Sequence, residues 1–369
     1  MSTENRRLLQ RPFRQRPRQL KGFRRPGKET RLVVTFLLAT ERALLIVRHA
    51  TRWSVEEHLQ GESPQCVAVD PHQPSRVYCG TSGTGLWRSD DAGRTWEPVG
   101  PGISHAEITA VAVSPAERGD RFGVAYAGTE PSAVFRSSDG GETWGDLSGL
   151  RTLPSASTWS FPPRPHTHHV RWLEPDPVVA GRMFVAIEAG ALIRTFDGGR
   201  TWADRVPDGP YDTHTAATHR LAPGRVYSAA GDGYFESDDA GGTWTRHVDG
   251  LRHRYLVGVA VDPADPDTVI VSAAEGPWSA YSPPNAEAHV YRKTMRRFWE
   301  PAMEGLSDAR GTTVSYFATH PDEPGVVYAA NNRGLCRSID AGRTWKTLKI
   351  PWPQGAFAHG VEALACLVD

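Results

Sequence analysis

The stretch Ser89-Asp90-Asp91-Ala92-Gly93-Arg94-Thr95-Trp96 sets the architecture. Its pattern, Ser/Thr-x-Asp-x-Gly-x-Thr-Trp, returns at Ser137 to Trp144, Thr195 to Trp202, Ser237 to Trp244 and Ser338 to Trp345, and five copies are beyond chance. Each copy lies between short β-forming runs, such as Gly85-Leu86-Trp87-Arg88-Ser89 and Thr95-Trp96-Glu97-Pro98-Val99, which makes it a hairpin turn. An Asp whose carboxylate accepts backbone N–H groups, followed two residues on by a Gly that takes positive φ at little cost, is what a tight turn requires. The Thr-Trp pair then opens a strand, where a β-branched residue and a large ring pack well on a pleated surface. Asp91, Asp139, Asp197, Asp239 and Asp340 are therefore read as folding elements, not as catalytic or metal-binding groups.

This signature resembles the Asp-box, or bacterial neuraminidase, repeat. Over residues 33 to 368 the chain is similar to the Asp-box β-propellers, a group that includes sialidases, xyloglucanases, the sortilin ectodomain and a photosystem II assembly factor. The resemblance implies a closed all-β ring and leaves activity open, because function resides in sites placed on a shared fold. At 369 residues the chain has the length of two average domains, yet closed all-β folds often use it as one. Gly 36, Pro 29 and Trp 12, with 39% hydrophobic residues, suit many short strands and turns.

The net charge is zero but unevenly placed. Residues 1–31 hold eleven Lys/Arg against two Glu and show no hydrophobic period, so a disordered basic tail is expected there, with residues 32–369 forming the propeller. The remaining body is acidic, which makes nucleic acid a poor partner. Cys66, Cys79, Cys336 and Cys366 lie in apolar runs without CxxC spacing, so buried free thiols and a reducing, cytoplasmic compartment are expected. No apolar run reaches the roughly eighteen residues of a membrane-spanning helix.

Each full unit reads as four strands: an inner one such as Ile108 to Val113, a second such as Arg76 to Gly80, then the Leu-Trp-Arg and Thr-Trp strands. In the first unit Val33 to Ala39, Ala43 to His49 and Trp53 to Val55 supply the last three. Its missing inner strand lies at the other end of the chain, in Val361 to Leu367. The expected fold is thus a single β-propeller of four-stranded antiparallel blades, closed by pairing the C-terminal strand with N-terminal strands, which removes exposed edges. The outer-strand tryptophans Trp53, Trp96, Trp144, Trp202, Trp244, Trp299 and Trp345 count seven blades. The turns of blades one and six, His49 to Arg52 and Lys293 to Phe298, have lost the signature.

One face of such a ring carries the regular turns. The other is irregular, and irregular loops on a rigid scaffold are where binding residues usually lie. Two insertions fall there, Pro154 to His169 and Glu275 to Pro284, both with aromatics beside prolines that stiffen a loop before binding. Trp159, Trp278 and Tyr281 from these insertions, with Tyr211, Arg254, Tyr255, Arg333 and Arg171, are the expected substrate contacts; His169 and Arg171 have the alternative of packing or pairing at the inner strand. The expected acid–base residues are His166, His168, Glu188, His214, Asp232 and Glu275, because carboxylates beside imidazoles at a channel mouth can move protons. His166 and His168, two apart in a segment read as extended, would point the same way; with His214 and Glu188 they form a donor set suited to a divalent transition metal.

Two classes of function remain open. The first is an enzyme at this mouth, a hydrolase or lyase with a glycan or small-molecule substrate. Resemblance to sialidases and xyloglucanases implies a glycan, but no Arg-Ile-Pro motif lies near the start, and one propeller does not form the cleft of two. A His-based, metal-assisted reaction fits the residues better. It predicts that His168→Ala or Glu188→Ala removes turnover and leaves the melting temperature nearly unchanged. The second is a non-catalytic module binding a ligand or protein through aromatic contacts.

Overall fold

Short runs of Val, Tyr, Ala and Leu punctuated by Gly, Asp and Pro fold into strands of mostly 4–8 residues, which cannot bury both faces unless sheets stack. The computed structural model describes residues 34–295 and 298–368; the expected basic tail, and Leu32, Val33, Arg296-Arg297 and Asp369 of the expected propeller, lie outside them. Among the described residues the chain forms seven antiparallel sheets arranged as the blades of a β-propeller. The inner strands, in blade order, are Ala363–Val368, Pro64–Val69, Glu107–Arg118, Val170–Pro175, Thr213–Thr218, Tyr255–Asp262 and Tyr316–Ala318. Each touches the next and the last touches the first, so they enclose a central channel. No helix is long and apolar enough to cross a membrane. All four cysteines are free thiols, as expected.

Ring closure follows the expected pairing. Val34–Ala39 pairs antiparallel with Ala363–Val368, from Val34 opposite Val368 to Ala39 opposite Ala363. Phe36 and Leu38 of that strand are buried against Tyr328 and Leu335 of blade seven. Six blades have four strands. Blade four has three, with the fourth reduced to a single bridge between Arg194 and Ala203. One residue on, Asp204 accepts a hydrogen bond from the Ser155 N–H of the first insertion at 2.8 Å.

The five repeated turns share one hydrogen-bond scheme. In the first, Asp91 Oδ1 accepts the Thr95 N–H at 2.8 Å and the Ser89 hydroxyl at 2.8 Å, while Oδ2 accepts the Thr95 hydroxyl at 2.7 Å. The equivalent Thr N–H bonds at Asp139, Asp197, Asp239 and Asp340 measure 3.1, 2.9, 2.8 and 2.9 Å. Two successive residues adopt positive φ, as at Ala92 (59°) and Gly93 (87°). The carbonyl of the first is thereby turned outward, and in three of the five turns an arginine of the preceding blade takes it: Arg48 to Ala92 at 2.7 Å, Arg76 to Gly140 at 2.6 Å and Arg292 to Ala341 at 2.7 Å. The turns thus fasten blade to blade as well as strand to strand.

Candidate functional site

The upper mouth of the channel is formed by the N-terminal ends of the inner strands. In blades two to six each of these strands carries a register shift one step inside its upper end, between Pro64/Cys66, Ile108/Ala110, Val170/Trp172, Thr213/Thr215 and Leu256/Gly258. A bulge sets two residues against one and re-aims the extra side chain. In blades four and five the extra residues are Arg171 and His214, so the interruption of alternation falls on two chemically active side chains.

Glu188 follows the second strand of blade four, Met183–Ile187, and is the hub of the cluster. Its Oε2 accepts His169 Nε2 at 2.7 Å and lies 3.3 Å from Arg171 Nε. Arg171 Nη2 donates to the Tyr316 hydroxyl at 2.9 Å, which joins blade four to blade seven across the lumen. His214, 1% exposed, has its Nδ1 at 2.6 Å from the Leu256 carbonyl. A carbonyl only accepts, so Nδ1 carries a hydrogen, and Nε2 is the ring atom left to face the cluster. That Nε2 makes no hydrogen bond among the described residues, and it faces Glu188 Oε1 at 3.8 Å and Asp212 Oδ2 at 3.7 Å. The three ligand atoms lie within 4.8 Å of one another. Asp212 is held by the Ala189 N–H at 2.8 Å, and Ala189 adopts a left-handed φ of 49° to present it, a conformation that costs a non-glycine residue free energy and recurs at functional sites. Tyr255 lays its ring 4.8 Å from that of His214, and Tyr281 stands edge-on to Tyr255 at 6.2 Å.

The two carboxylates are pushed apart in acidity. Burial alone would raise Glu188, but the His169 hydrogen bond and the Arg171 charge outweigh it and hold Glu188 at about 2. Asp212 is raised, first by burial and then by the Glu188 and Asp232 charges, against the pull of His214 and the Ala189 N–H. An ionised carboxylate beside one displaced toward neutrality is an acid–base arrangement.

Of the expected metal donors, Glu188 and His214 meet; His166 and His168 do not join them, and Asp212 takes their place. The segment before Val170 is not extended: Phe161 bridges back to Arg164 and a second turn follows at Pro165-His166. His166 is consequently exposed, and His168 sits edge-on to Trp159 at 5.6 Å. Trp159, expected as a substrate contact, is 5% exposed and packs over Gly190, where it covers the base of its loop. Asp232 accepts the Asp212 N–H at 3.4 Å and belongs to the shell behind the trio. Glu275 and Arg254 are exposed outside it. Arg333 turns to Thr312 Oγ1 at 3.3 Å, and Tyr211 lies under the Arg205 guanidinium at 5.5 Å. Trp278 is 77% exposed on the helix Pro277–Tyr281, whose last residue brings its hydroxyl into the buried cluster. Tyr316 had no signal in the sequence; it becomes visible only once blades four and seven are known to oppose one another.

The fold and rim thus define a seven-bladed propeller with an imidazole–carboxylate cluster at one mouth. No family model and no curated protein matches the sequence. Among solved structures the chain is similar to an ancestral GH74 enzyme (15% identity, TM-score 0.63, 88% of this chain and 42% of that one). It is also similar to the GH74 enzyme of Niastella koreensis (18%, 0.63, 84% and 51%). A third is YCF48 bound to D1 peptide (18%, 0.54, 83% and 87%). The chain spans about half the length of the two GH74 enzymes or less. At these identities the likeness is one of fold.

Proposed function

We propose that the protein is an Asp-box propeller enzyme, a hydrolase or lyase whose reacting centre is Glu188, Asp212 and His214. The observation that carries this reading is His214 Nε2, buried without a hydrogen bond among the described residues and faced by two carboxylates. A nitrogen so placed can exchange a proton with a bound substrate, and the two carboxylates beside it would balance the charge of the imidazolium during the step. The same three atoms form a donor set for a divalent cation such as zinc or manganese, with Leu256 O fixing the ring from behind; when bound, the ion would activate a water or polarise a carbonyl. A glycosidase of the usual kind fits less well. Its two carboxyl groups flank a scissile bond about 5 Å or more apart, whereas here both converge on one nitrogen.

The test is turnover against a panel of aryl esters, lactones, aryl glycosides and uronate oligosaccharides. His214→Gln should lower the rate on any substrate found by at least about a hundredfold, with folding checked by circular dichroism; a folded variant that keeps its rate refutes the reading. A second reading, a recognition module, is favoured by the exposed Trp278. It predicts that Trp278→Ala abolishes binding to a protein partner while His214→Gln does not.

A further inference from the structure

Beneath the Arg171–Tyr316 contact the channel continues as a cavity of about 290 Å³ that includes residues from all seven inner-strand segments in its wall. None of Glu188, Asp212 or His214 lines it, whereas Arg171 and Tyr316 do; the contact separates the upper mouth from the lumen below. The exposed Arg220 and Pro321 belong to its lower end, so it reaches solvent on the opposite face. Its walls are largely small and apolar, among them Ala110, Ala216, Gly258, Ala260 and Ala363. Gly258 is obligatory: a Cβ there would lie 2.3 Å from the Ser315 carbonyl of the next blade.

Two carboxyl groups interrupt this apolar wall. Glu362, near the top, accepts no hydrogen bond among the described residues. Arg171, the cation whose charge it feels, commits its own contacts to Glu188 and Tyr316. Glu174, three residues down the blade-four strand from Arg171, accepts the Thr218 N–H at 2.9 Å, the Thr218 hydroxyl at 2.8 Å and the Trp172 indole N–H at 3.1 Å. A carboxylate has about four acceptor sites, which leaves one for the lumen that Glu174 lines. Burial raises both groups, Glu174 to about 7 against the hydrogen bonds from Trp172 and Thr218, and Glu362 against the pull of Arg171. His219 brings no positive charge, because its Nδ1 accepts the Leu221 N–H at 3.3 Å. Among the described residues the lumen therefore holds two acids, and its cations are Arg171, matched by Glu188, and Arg220 at the exit.

We propose that this lumen is a binding site for a slender aliphatic diammonium compound, with Glu362 and Glu174 taking its two cationic ends and the small apolar walls its methylenes. Three residues of strand separate the levels of Arg171 and Glu174, about 10 Å, the span of an extended chain of several methylenes. Buried apolar walls with a few convergent polar groups are the usual make-up of a small-molecule site, and the unmatched sign of the acids selects cations over anions.

Calorimetric titration of the full chain at neutral pH with an α,ω-octanediamine, n-octylamine and n-octanoate tests this. The diamine should bind at one site, the monoamine at least tenfold more weakly, and octanoate not at all. Glu362→Gln and Glu174→Gln should each weaken the diamine at least tenfold. Glu362 has no hydrogen bond to lose among the described residues, so its variant keeps the test open if Glu174→Gln misfolds. His214→Gln should bind the diamine as the wild type does, which separates this site from the one at the upper mouth. Absence of diamine binding, equal binding of octanoate, or indifference to Glu362→Gln in a folded protein would overturn the proposal.

Discussion

Glu188 and Asp212 look interchangeable on paper and are not. Glu188 balances Arg171 in a nearly enclosed setting, with the two side chains 12% and 16% exposed. Taking away one partner of such a pair leaves an uncompensated charge, at a cost of about 3 kcal/mol or more. Glu188→Gln should therefore lower the stability measured by chemical denaturation by about that amount. The expectation of a nearly unchanged melting temperature for Glu188→Ala, reasonable for a rim residue, fails once Arg171 is seen beside it. Asp212→Asn keeps an oxygen for the Ala189 N–H and should change stability by less than about 0.5 kcal/mol. Glu188 and His214 were legible because an acid after a second strand and a histidine opening an inner strand both belong at the mouth. Asp212, two residues before His214, was not among the expected acid–base or metal residues. His166 and His168 misled because alternation assumes an extended backbone, and the prolines at 162, 163 and 165 instead support two turns.

The repeated turn is the most legible element, since its spacing encodes its hydrogen bonds. The sequence did not show that the residue after each Asp is also left-handed, or that in three of the turns its carbonyl serves the neighbouring blade. Acid sensitivity follows from the Asp side chains. Burial works against ionisation of Asp91 and Asp139, but the bonds from Thr95 and Thr143 and from Ser89 and Ser137 outweigh it and hold both at about 2; Asp197 is also at about 2, chiefly through its Thr201 bonds. A carboxylate whose folded value lies below its unfolded one, about 3.9, contributes stability that is full above the unfolded value and lost as pH falls through the folded one. These three carboxylates leave the unfolding midpoint in urea unaffected down to about pH 5, a range in which the protonation of buried Glu174, held at about 7, raises it instead. They should make it fall steeply between about pH 4 and pH 2. A variant with Asp91, Asp139 and Asp197 all changed to Asn should be less stable at pH 7 and show a shallower fall; an unchanged slope would mean that other groups govern acid unfolding.

At the scale of the molecule, closure by strands from both chain ends was readable from the repeat, because the first unit lacked an inner strand that the last residues match. The bulges, the bridge from Arg171 to Tyr316 and the lumen below it were not, since each depends on strands distant in sequence meeting across the ring. Removing residues 361–369 should expose the edge of Val34–Ala39 and the apolar Phe36 and Leu38 beneath it. The truncated chain is expected to elute as large aggregates in size-exclusion chromatography, and a stable monomer would show that closure is dispensable.

Calorimetric titration of the full chain with manganese or zinc, beside Asp212→Asn and His214→Gln, decides most directly whether the upper mouth is a reactive centre of the proposed kind. One ion should bind per wild-type chain and none at that site in either folded variant. Equal stoichiometry and affinity in all three proteins would show that the buried imidazole and its two acids do not form the metal centre proposed here.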